Sequence, residues 1–280
     1  MSAASAGLAV RCEEVVQIYP VAGTEVVALK GVDLDVAAGT SLALLGPSGS
    51  GKSTLLMILA GLMPPSAGRV WLGDREVGSL DPRDLQRLRA TDVGVVLQGA
   101  ARNLLPYASA AQNVDFARRA LPRKRRGDGR GAQELLSLLE LDDLADRPLH
   151  TLSAGALQRV ALTAAVANEP GLLLADEPTS ALDDESRDSV LDLLERVNTR
   201  LGTTVVIVTH DHAVARRMSR QITMRYGRVG QEGRQGAAYA VIGRDGALHL
   251  PENLLESWPP GTLVEVVADD DDLRLRRRPS

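Results

Sequence analysis

The sequence is poor in aromatic residues and cysteine, and it contains no long hydrophobic run. Aromatic residues make up 2% of the 280 residues, which leaves Leu, Val, Ala and Ile to fill the core. Cys12 is the single cysteine, so a disulfide framework and a cysteine-based zinc cluster are excluded and a reduced, partly buried thiol is expected. No apolar run approaches the roughly 18 residues that a membrane-spanning helix needs, and the start of the chain lacks the pattern of a secretory signal. We therefore expect a soluble, cytoplasmic protein that acts on a membrane only through a partner.

The sequence also lacks a large excess of either positive or negative charge. The 32 Lys and Arg residues and the 36 Asp and Glu residues give a net charge of −4, which argues against a globally basic protein that binds nucleic acid. The segment 118–130 is a local exception, with seven basic residues and one acidic residue. This segment is interpreted either as a solvated loop between two helices or as a face that meets lipid headgroups or an acidic partner.

Strand-like and helix-like segments alternate along most of the chain. Continuous apolar runs at 41–45, 172–175 and 204–208 are typical of buried parallel strands, and helical stretches lie between and after them. Residues 25–36 alternate apolar and polar side chains as strands do, whereas residues 104–150 have a mainly helical pattern. This order predicts an α/β fold with a parallel sheet covered on both faces.

A glycine-rich motif follows the first of these buried runs. It reads Gly46-Pro47-Ser48-Gly49-Ser50-Gly51-Lys52-Ser53 and leads into a helical run, which is the context that a phosphate-binding loop requires. Its glycines allow backbone N–H groups to turn toward phosphates beside a helix N-terminus. Lys52 would reach the β- and γ-phosphates, and the Ser53 hydroxyl would bind Mg²⁺. Because the chain has only three lysines, the alternative of an ordinary tight turn is the weaker one.

Two adjacent carboxylates end the buried run at 172–175. Asp176 suits a magnesium ion, usually through water, and Glu177 suits a base that polarises the attacking water. The alternative is an acidic pair that starts a helix, which Pro178 directly after it would tolerate.

These residues belong to a longer series of motifs that resembles a known family. The segment Asp176-Glu177-Pro178-Thr179-Ser180-Ala181-Leu182-Asp183 is similar to a Walker B segment and D-loop, and Leu152-Ser153-Ala154-Gly155 stands at the place of a signature motif. Gln98 is similar to a Q-loop glutamine, and His210 is similar to a switch histidine. Tyr19 is similar to the aromatic residue that stacks on adenine. Their order and spacing over residues 10 to about 230 resemble the ATP-binding cassette (ABC) ATPases. Residues 103–106 and 111–114 resemble the branch that serves MacB-, LolD- and FtsE-type permeases.

The resemblance implies a fold and a division of the chain. It implies a P-loop NTPase core of the ABC type over residues 1–230, in which a parallel sheet with helices is joined by an antiparallel β subdomain and by a helical subdomain at about 99–160. Residues 231–280 are then a linker and a small β-rich C-terminal unit.

The resemblance also implies a mechanism. Two such domains would hold two ATP molecules head to tail, each between the phosphate loop of one subunit and the signature segment of the other. The residues so implied are Glu177 and His210 in catalysis; Tyr19, Gly46, Ser48, Gly49, Ser50, Gly51, Lys52, Ser53, Thr54, Gln98, Ser153, Gly155 and Asp183 in nucleotide binding; and Ser53, Gln98 and Asp176 at Mg²⁺.

The partners follow from the same resemblance. The resemblance implies the ATP-hydrolysing subunit of an ABC transporter or of a mechanotransmission complex. We expect a homodimer, or a dimer with a close paralogue, that drives a separately encoded transmembrane permease, of the export type, on the inner face of the cell membrane. A nucleic-acid partner is not expected. Two alternatives are a soluble ABC protein without a permease and a nucleotide-gated regulator that binds DNA or a protein through its C-terminal unit.

The signature motif departs from the family pattern. The family's usual Leu-Ser-Gly-Gly-Gln is here Leu152-Ser153-Ala154-Gly155-Ala156. The serine hydroxyl and the second glycine are kept, but Ala154 adds a methyl group to a turn that we expect to be crowded, and Ala156 removes an amide side chain near the nucleotide. We expect slower turnover, or weaker ATP-driven dimerisation, than the full motif would give.

The end of the chain has a different composition. A Gly- and Gln-rich stretch at 227–236 is interpreted as a linker, and residues 238–250 have the pattern of a hairpin. A short helix at 251–257 and a strand at 262–267 are expected after it. Residues 238–278 resemble the swapped-hairpin domain of AbrB-type regulators, but the acidic run 269–272 disfavours phosphate contact, so dimerisation or regulation is favoured over DNA binding.

Overall fold

The fold is built on a mixed seven-stranded sheet. The computed structural model describes residues 7–21, 23–122, 129–234, 237–242, 246, 248, 250, 254, 257–259, 262–269 and 272–277. The strands of this sheet are β3 (Ser41–Leu45), β6 (Val93–Val96), β7 (Leu172–Asp176), β8 (Thr204–Thr209), β9 (Arg220–Arg225), β10 (Arg228–Arg234) and β11 (Ala237–Ala240). Their spatial order is β11-β10-β9-β3-β8-β7-β6.

The five strands from β9 to β6 in that order are parallel. All six residues of β8 are buried, as expected for a strand that is covered on both faces. The register pairs Leu45 with Thr209 and Asp176 with Val208. The carboxyl ends of β3, β8 and β7 therefore lie side by side at one edge of the sheet, and the predicted α/β class is confirmed.

A second, antiparallel sheet is formed mainly by the first part of the chain. Its strands are β1 (Val10–Val21), β2 (Thr24–Val36), β4 (Ala67–Leu72) and β5 (Arg75–Glu76), in the order β2-β1-β4-β5. A backbone hydrogen bond from Lys30 N–H to Gly227 C=O, 2.9 Å long, connects this sheet to the turn after β9.

Helices cover the two faces of the main sheet. They are α1 (Lys52–Leu59), α2 (Pro82–Thr91), α3 (Ala110–Arg118), α4 (Ala132–Leu138), α5 (Ala154–Ala165), α6 (Asp184–Leu201) and α7 (His212–Ala215). Side chains of β3 alternate between two apolar clusters: Leu42 and Leu44 pack with α1 and the antiparallel sheet, and Ala43 and Leu45 pack with α3 to α6. Such alternation is expected because successive side chains of a β-strand point to opposite faces of the sheet.

The helices α3 and α4 lie in the segment predicted to be mainly helical. A capping box begins α3, in which the Ser109 hydroxyl accepts the Gln112 N–H and the Gln112 side chain accepts the Ser109 N–H. Buried leucines of α4 join the cluster that also contains α5 and α6. The boundaries of a helical subdomain at about 99–160 stay a prediction.

The stretch predicted to be a linker is in part a strand. Residues 228–234 form β10, which pairs with β9 through a two-residue turn at Tyr226 and Gly227, where φ is +51° and +79°. Two successive positive φ angles give the turn a twist that matches a hairpin, usually at Asn-Gly. Tyr-Gly is a weaker signal, which is why the sequence pattern did not reveal it. A two-bond ion pair between Arg220 and Glu232, with a shortest distance of 2.6 Å, stabilises the pairing.

The C-terminal unit is described only in part. Strand β12 (Val264–Asp269) pairs antiparallel with β13 (Asp272–Arg277), and an isolated bridge joins Ile242 to Leu248. The AbrB-type resemblance depends on residues 243–252 and 260–266, of which 243–245, 247, 249, 251, 252, 260 and 261 lie outside the described residues. The basic run 123–126 also lies outside them. Among the described residues, no helix is long and apolar enough to span a membrane.

Candidate active site

The glycine-rich loop connects β3 to α1 and needs its glycines for two physical reasons. Gly46, Gly49 and Gly51 have φ angles of +147°, +77° and +96°, which side chains with a Cβ rarely adopt. A Cβ on Gly46 would also lie 2.2 Å from the Met224 carbonyl oxygen, and one on Gly51 would lie 2.6 Å from the Ala28 carbonyl oxygen. The loop is therefore held close to the backbones of both sheets.

Lys52, at the start of α1, turns back over this loop. Its Nζ donates to the carbonyl oxygens of Gly46 at 2.8 Å and Pro47 at 2.9 Å. Burial lowers the pKa of the Lys52 ammonium, while the nearby carboxylates of Glu177 and Asp176 act in the opposite direction. The lysine is thus a buried cation whose bonds to the loop can be exchanged for bonds to an anion.

The acidic pair stands where β7 ends. The Ser53 hydroxyl donates to Asp176 Oδ1 at 3.1 Å, although the two residues are 123 positions apart in the sequence. Glu177 has a φ of +48° and its N–H donates to the Val208 carbonyl at 2.9 Å. The next helix, α6, begins only at Asp184, so the alternative of an acidic pair that starts a helix is wrong.

His210 follows directly after β8 and meets Glu177. Its Nδ1 lies 2.9 Å from Glu177 Oε1, with the carboxylate largely buried and the imidazole 69% exposed. The Thr209 hydroxyl accepts the Asp211 N–H at 3.0 Å, and Asp211 caps α7. The histidine backbone is thereby fixed on both sides, and its ring can reach into the space in front of the acidic pair.

These groups surround one open cleft of about 720 Å³. The predicted site residues that line it are Ser48, Gly49, Ser50, Gly51, Lys52, Ser53, Thr54, Gln98, Asp176, Glu177 and His210. The sequence analysis missed four further lining residues, which are Val26, Val27 and Ala28 of β2 and Val208 of β8. Val26 and Val27 are 49% and 40% exposed, and an adjacent pair of apolar residues in an otherwise alternating strand was the available signal.

Tyr19 lies beside the cleft. It is half-buried, and its hydroxyl is 3.4 Å from Thr54 Oγ1 and 3.5 Å from Met63 Sδ. The phenol therefore stands next to the first turn of α1, close to the phosphate loop.

Three predicted nucleotide contacts are placed elsewhere. Ser153 is the N-cap of α5, with its hydroxyl accepting the Ala156 N–H, and Asp183 is the N-cap of α6, with its carboxylate accepting the Ser186 N–H. A Cβ on Gly155 would lie 2.6 Å from Ser186 Cβ, so the two helix starts are packed together. Ser153, Gly155 and Asp183 are not among the described residues that line the cleft.

The two departures in the signature segment have different surroundings. Ala154 is exposed, so its methyl group meets no crowding within one chain, contrary to expectation. Ala156 is buried, at 6% exposure. Of the two replacements, the one at 156 therefore alters an interior position.

The donor atoms in the cleft suit Mg²⁺. The Ser53 hydroxyl and the Asp176 carboxylate are already in contact, and Gln98 lines the same cleft. In the described part of the chain, no three His, Cys, Asp or Glu residues form a metal cluster. A few hard oxygen donors without a full protein cage are typical of Mg²⁺, which keeps waters and binds substrate phosphates.

Comparison with known proteins identifies the family. The family model described as ABC transporter matches residues 29–180. The chain belongs to the ABC transporter ATPases. The cassette is 42% identical over 207 residues to the lipoprotein-releasing system ATP-binding protein LolD 1 of Caulobacter vibrioides, which covers 72% of this chain and 86% of the relative. It is 40% identical over 260 residues to the methionine import ATP-binding protein MetN of Rhodopseudomonas palustris, covering 90% of this chain and 68% of that protein.

A solved structure has the same fold. The cassette MJ0796 of Methanocaldococcus jannaschii, in a dimeric post-hydrolysis state bound to ADP and Pi, matches with a TM-score of 0.70 at 36% identity, covering 80% of this chain and 98% of that chain. The predicted family, its ATPase activity and the similarity to LolD-type cassettes are confirmed. The roles of individual site residues stay predictions.

The stability contributed by Asp183 should depend on pH. The Ser186 N–H, which donates to this carboxylate at 2.8 Å, holds the pKa of Asp183 below its usual value. The stabilisation is therefore complete above the unfolded-state pKa of about 4 and is lost as the pH falls through the lower folded-state pKa. In scanning calorimetry, Asp183→Ala should lower the Tm at pH 7, and the difference from the unsubstituted cassette should narrow toward pH 3.

The exposed carboxylate of Glu185, in the first turn of α6, provides the control. Glu185→Ala should change the Tm less than Asp183→Ala at pH 7. If Asp183→Ala lowered the Tm by the same amount at pH 7 and at pH 3, the ionised Asp183 carboxylate would not be the source of the stabilisation.

Proposed function

We propose that this cassette hydrolyses ATP as a head-to-tail dimer and drives a separately encoded membrane permease. The observation that carries the proposal is the division of the predicted site residues. Lys52, Ser53, Asp176, Glu177 and His210 share one cleft, whereas Ser153, Gly155 and Asp183 lie at two packed helix starts that do not line it. One chain thus presents a phosphate-binding half and a separate helix N-terminus that can complete the cleft of a second copy.

The first half of the site binds the nucleotide. Loop N–H groups and the N-terminus of α1 favour phosphate oxygens, and Lys52 exchanges its bonds with Gly46 and Pro47 for bonds to the β- and γ-phosphates. Ser53, Asp176 and Gln98 would hold Mg²⁺, which when bound neutralises negative charge on the phosphates. Tyr19 packs against the adenine, near Thr54.

Glu177 is the base that polarises the attacking water. Its carboxylate is largely buried and accepts a bond from His210 Nδ1, so its orientation is set before ATP binds. Nε2 of the same ring, when it also carries a proton, donates to an oxygen of the γ-phosphate. The pair places a carboxylate and an imidazole in the cleft that Lys52 also lines.

The second half of the site acts on the partner copy. Ser153 and Gly155 contact the γ-phosphate held by the other subunit, assisted by the N-terminal dipole of α5. Asp183 connects the two ATP sites of the dimer. Its carboxylate accepts the Ser186 N–H at the start of α6, and Gly155 of the signature segment packs on the same Ser186. A monomer would hold ATP without completing the catalytic site.

Replacing the base tests the sandwich. Glu177→Gln should lower the rate of ATP hydrolysis about a hundredfold or more while leaving nucleotide binding intact. Light scattering should then show a shift from monomer to dimer on addition of Mg²⁺ and ATP, because the closed state is no longer released by hydrolysis.

Glu185→Gln is the matched control, since this exposed carboxylate lies outside the cleft. It should hydrolyse ATP at the unsubstituted rate and form no trapped dimer. A dimer present without ATP would instead assign dimerisation to the C-terminal unit, and a monomer under every condition would contradict the ATP sandwich for this chain alone.

Restoring the family signature should raise turnover. Ala154→Gly combined with Ala156→Gln regains an amide side chain, and one hydrogen bond at such a site is worth about fivefold in rate. Steady-state ATPase assays of the double variant and of each single variant test this. We expect most of the gain from Ala156→Gln, because this replacement restores the hydrogen-bonding side chain, whereas Ala154→Gly only removes an exposed methyl group. An unchanged rate in the double variant would show that the departures carry no catalytic cost.

The names of the relatives support a role in transport. LolD of Caulobacter is named as part of a lipoprotein-releasing system and MetN of Rhodopseudomonas as an import protein. We propose the export direction, on the strength of the former, with the cassette bound peripherally to the inner face of the cell membrane through its permease.

Affinity purification from detergent-solubilised membranes tests the partner. The full chain should retain a multi-spanning membrane protein through a high-salt wash. Recovery from the soluble fraction alone, together with salt-dependent DNA binding that requires ATP, would contradict the permease and favour the nucleotide-gated regulator.

A further inference from the structure

The side chain of Asn103 lies across the loop that carries Gln98. Its Oδ1 accepts the Leu97 N–H at 2.9 Å, and its Nδ2 donates to the carbonyl oxygens of Leu97 at 2.9 Å and Gly99 at 3.1 Å. The amide orientation is determined by these partners, because reversing it would direct the NH₂ group at an N–H and the oxygen at two carbonyls. One side chain therefore binds the backbone on both sides of Gln98.

The loop has little else to hold it. Leu97, Gln98 and Gly99 are exposed. Gly99 has a φ of +89°, a Cβ there would meet only Arg102 Cδ, at 4.0 Å, and the Gly99 carbonyl oxygen also accepts the Arg102 N–H at 3.1 Å. No hydrogen bond joins the side chain of Gln98 to another residue in the described part of the chain. The position of Gln98 at the cleft is thus set through its neighbours' backbone and not by packing.

Asn103 belongs to a segment that packs against the buried part of the fold. It ends a short 3₁₀ turn, Ala100–Asn103, that packs against α5, the helix whose first residues form the signature segment. Ala100 of this turn packs on the apolar cluster that includes α5. Asn103 therefore connects an exposed loop at the cleft to a buried part of the fold.

We propose that Asn103 is a positioning residue for ATP hydrolysis, which holds Gln98 at the cleft by fixing the backbone of Leu97 and Gly99. This inference rests on the proposed role of Gln98 at Mg²⁺. It assigns no contact with nucleotide to Asn103 itself. Its effect must therefore pass through Gln98.

Asn113 offers a matched control. Its side chain makes the same kind of bonds, accepting the Leu105 N–H at 2.7 Å and donating to the carbonyls of Leu105 at 3.3 Å and Ser109 at 2.9 Å. These bonds fix the following segment and do not touch residues 97–99. Asn113 is also buried, at 4% exposure, so its loss reports on general destabilisation.

Hydrogen exchange on the full chain tests the structural part. In Asn103→Ala the Leu97 amide should exchange on the order of tenfold faster, because it loses its acceptor in an exposed loop. In Asn113→Ala this amide should be unaffected, whereas the Leu105 amide should exchange faster. Unchanged exchange at Leu97 in Asn103→Ala would overturn the proposal.

A double-mutant cycle tests the catalytic part. Asn103→Ala should lower the kcat of ATP hydrolysis several-fold, toward the value of Gln98→Ala, and leave the KM for ATP within about twofold, because the phosphate loop is intact. The Asn103→Ala/Gln98→Ala double variant should be no slower than Gln98→Ala alone, since residues that act through one another are not additive. Additive losses, or an equal non-additive loss in Asn113→Ala, would overturn the positioning role.

The failure of this inference can be told from failure of the proposed function. If Gln98→Ala keeps its full kcat, then Gln98 has no such role and the positioning role falls with it. The hydrolytic sandwich would still stand if Glu177→Gln loses activity and traps the dimer.

Discussion

The site depends on the parallel pairing of β3, β8, β7 and β6. Parallel strands end at the same edge of a sheet, and the register here aligns Leu45 with Thr209 and Asp176 with Val208. The phosphate loop, the acidic pair and His210 leave the sheet within bonding distance of one another for this reason. A slip of one residue in β7 would turn Asp176 and Glu177 to the opposite faces, and the contacts with Ser53 and His210 would be lost together.

The phosphate loop is where the two sheets meet. Gly46 lies against the Met224 backbone of β9, and Gly51 lies against the Ala28 backbone of β2. Gly227 closes the same junction, since it accepts the Lys30 N–H and a Cβ there would lie 2.6 Å from the Ala28 carbonyl oxygen. Close backbone contact on two sides explains why a flexible residue type forms a well-defined loop, and Lys52 adds bonds to the Gly46 and Pro47 carbonyls of that loop.

The second half of the machinery is organised by helix starts. Ser153 and Asp183 each cap a helix with their own side chain, and Gly155 allows the start of α5 to pack directly on Ser186 of α6. The segment proposed to act on a partner's ATP and the residue proposed to connect the two sites are thus parts of one packed unit. The turn that ends at Asn103 packs against α5 as well, so the loop of Gln98 and the signature segment have a common neighbour.

The sequence by itself determined the α/β class, the phosphate loop, the acidic pair and the family, because each depends on a local run of residues with a specific spacing. It could not place Ser53 against Asp176 or Glu177 against His210, since those contacts depend on which strands are neighbours and in what register. It misread residues 228–234 because a Tyr-Gly turn is a weak hairpin signal, and it missed Val26 and Val27 because their exposure depends on the packing of β2 beside the loop. The bonds of Asn103 were also decided only by the tertiary structure, which holds a turn of the chain firmly enough for one amide to bind the backbone on both sides of Gln98.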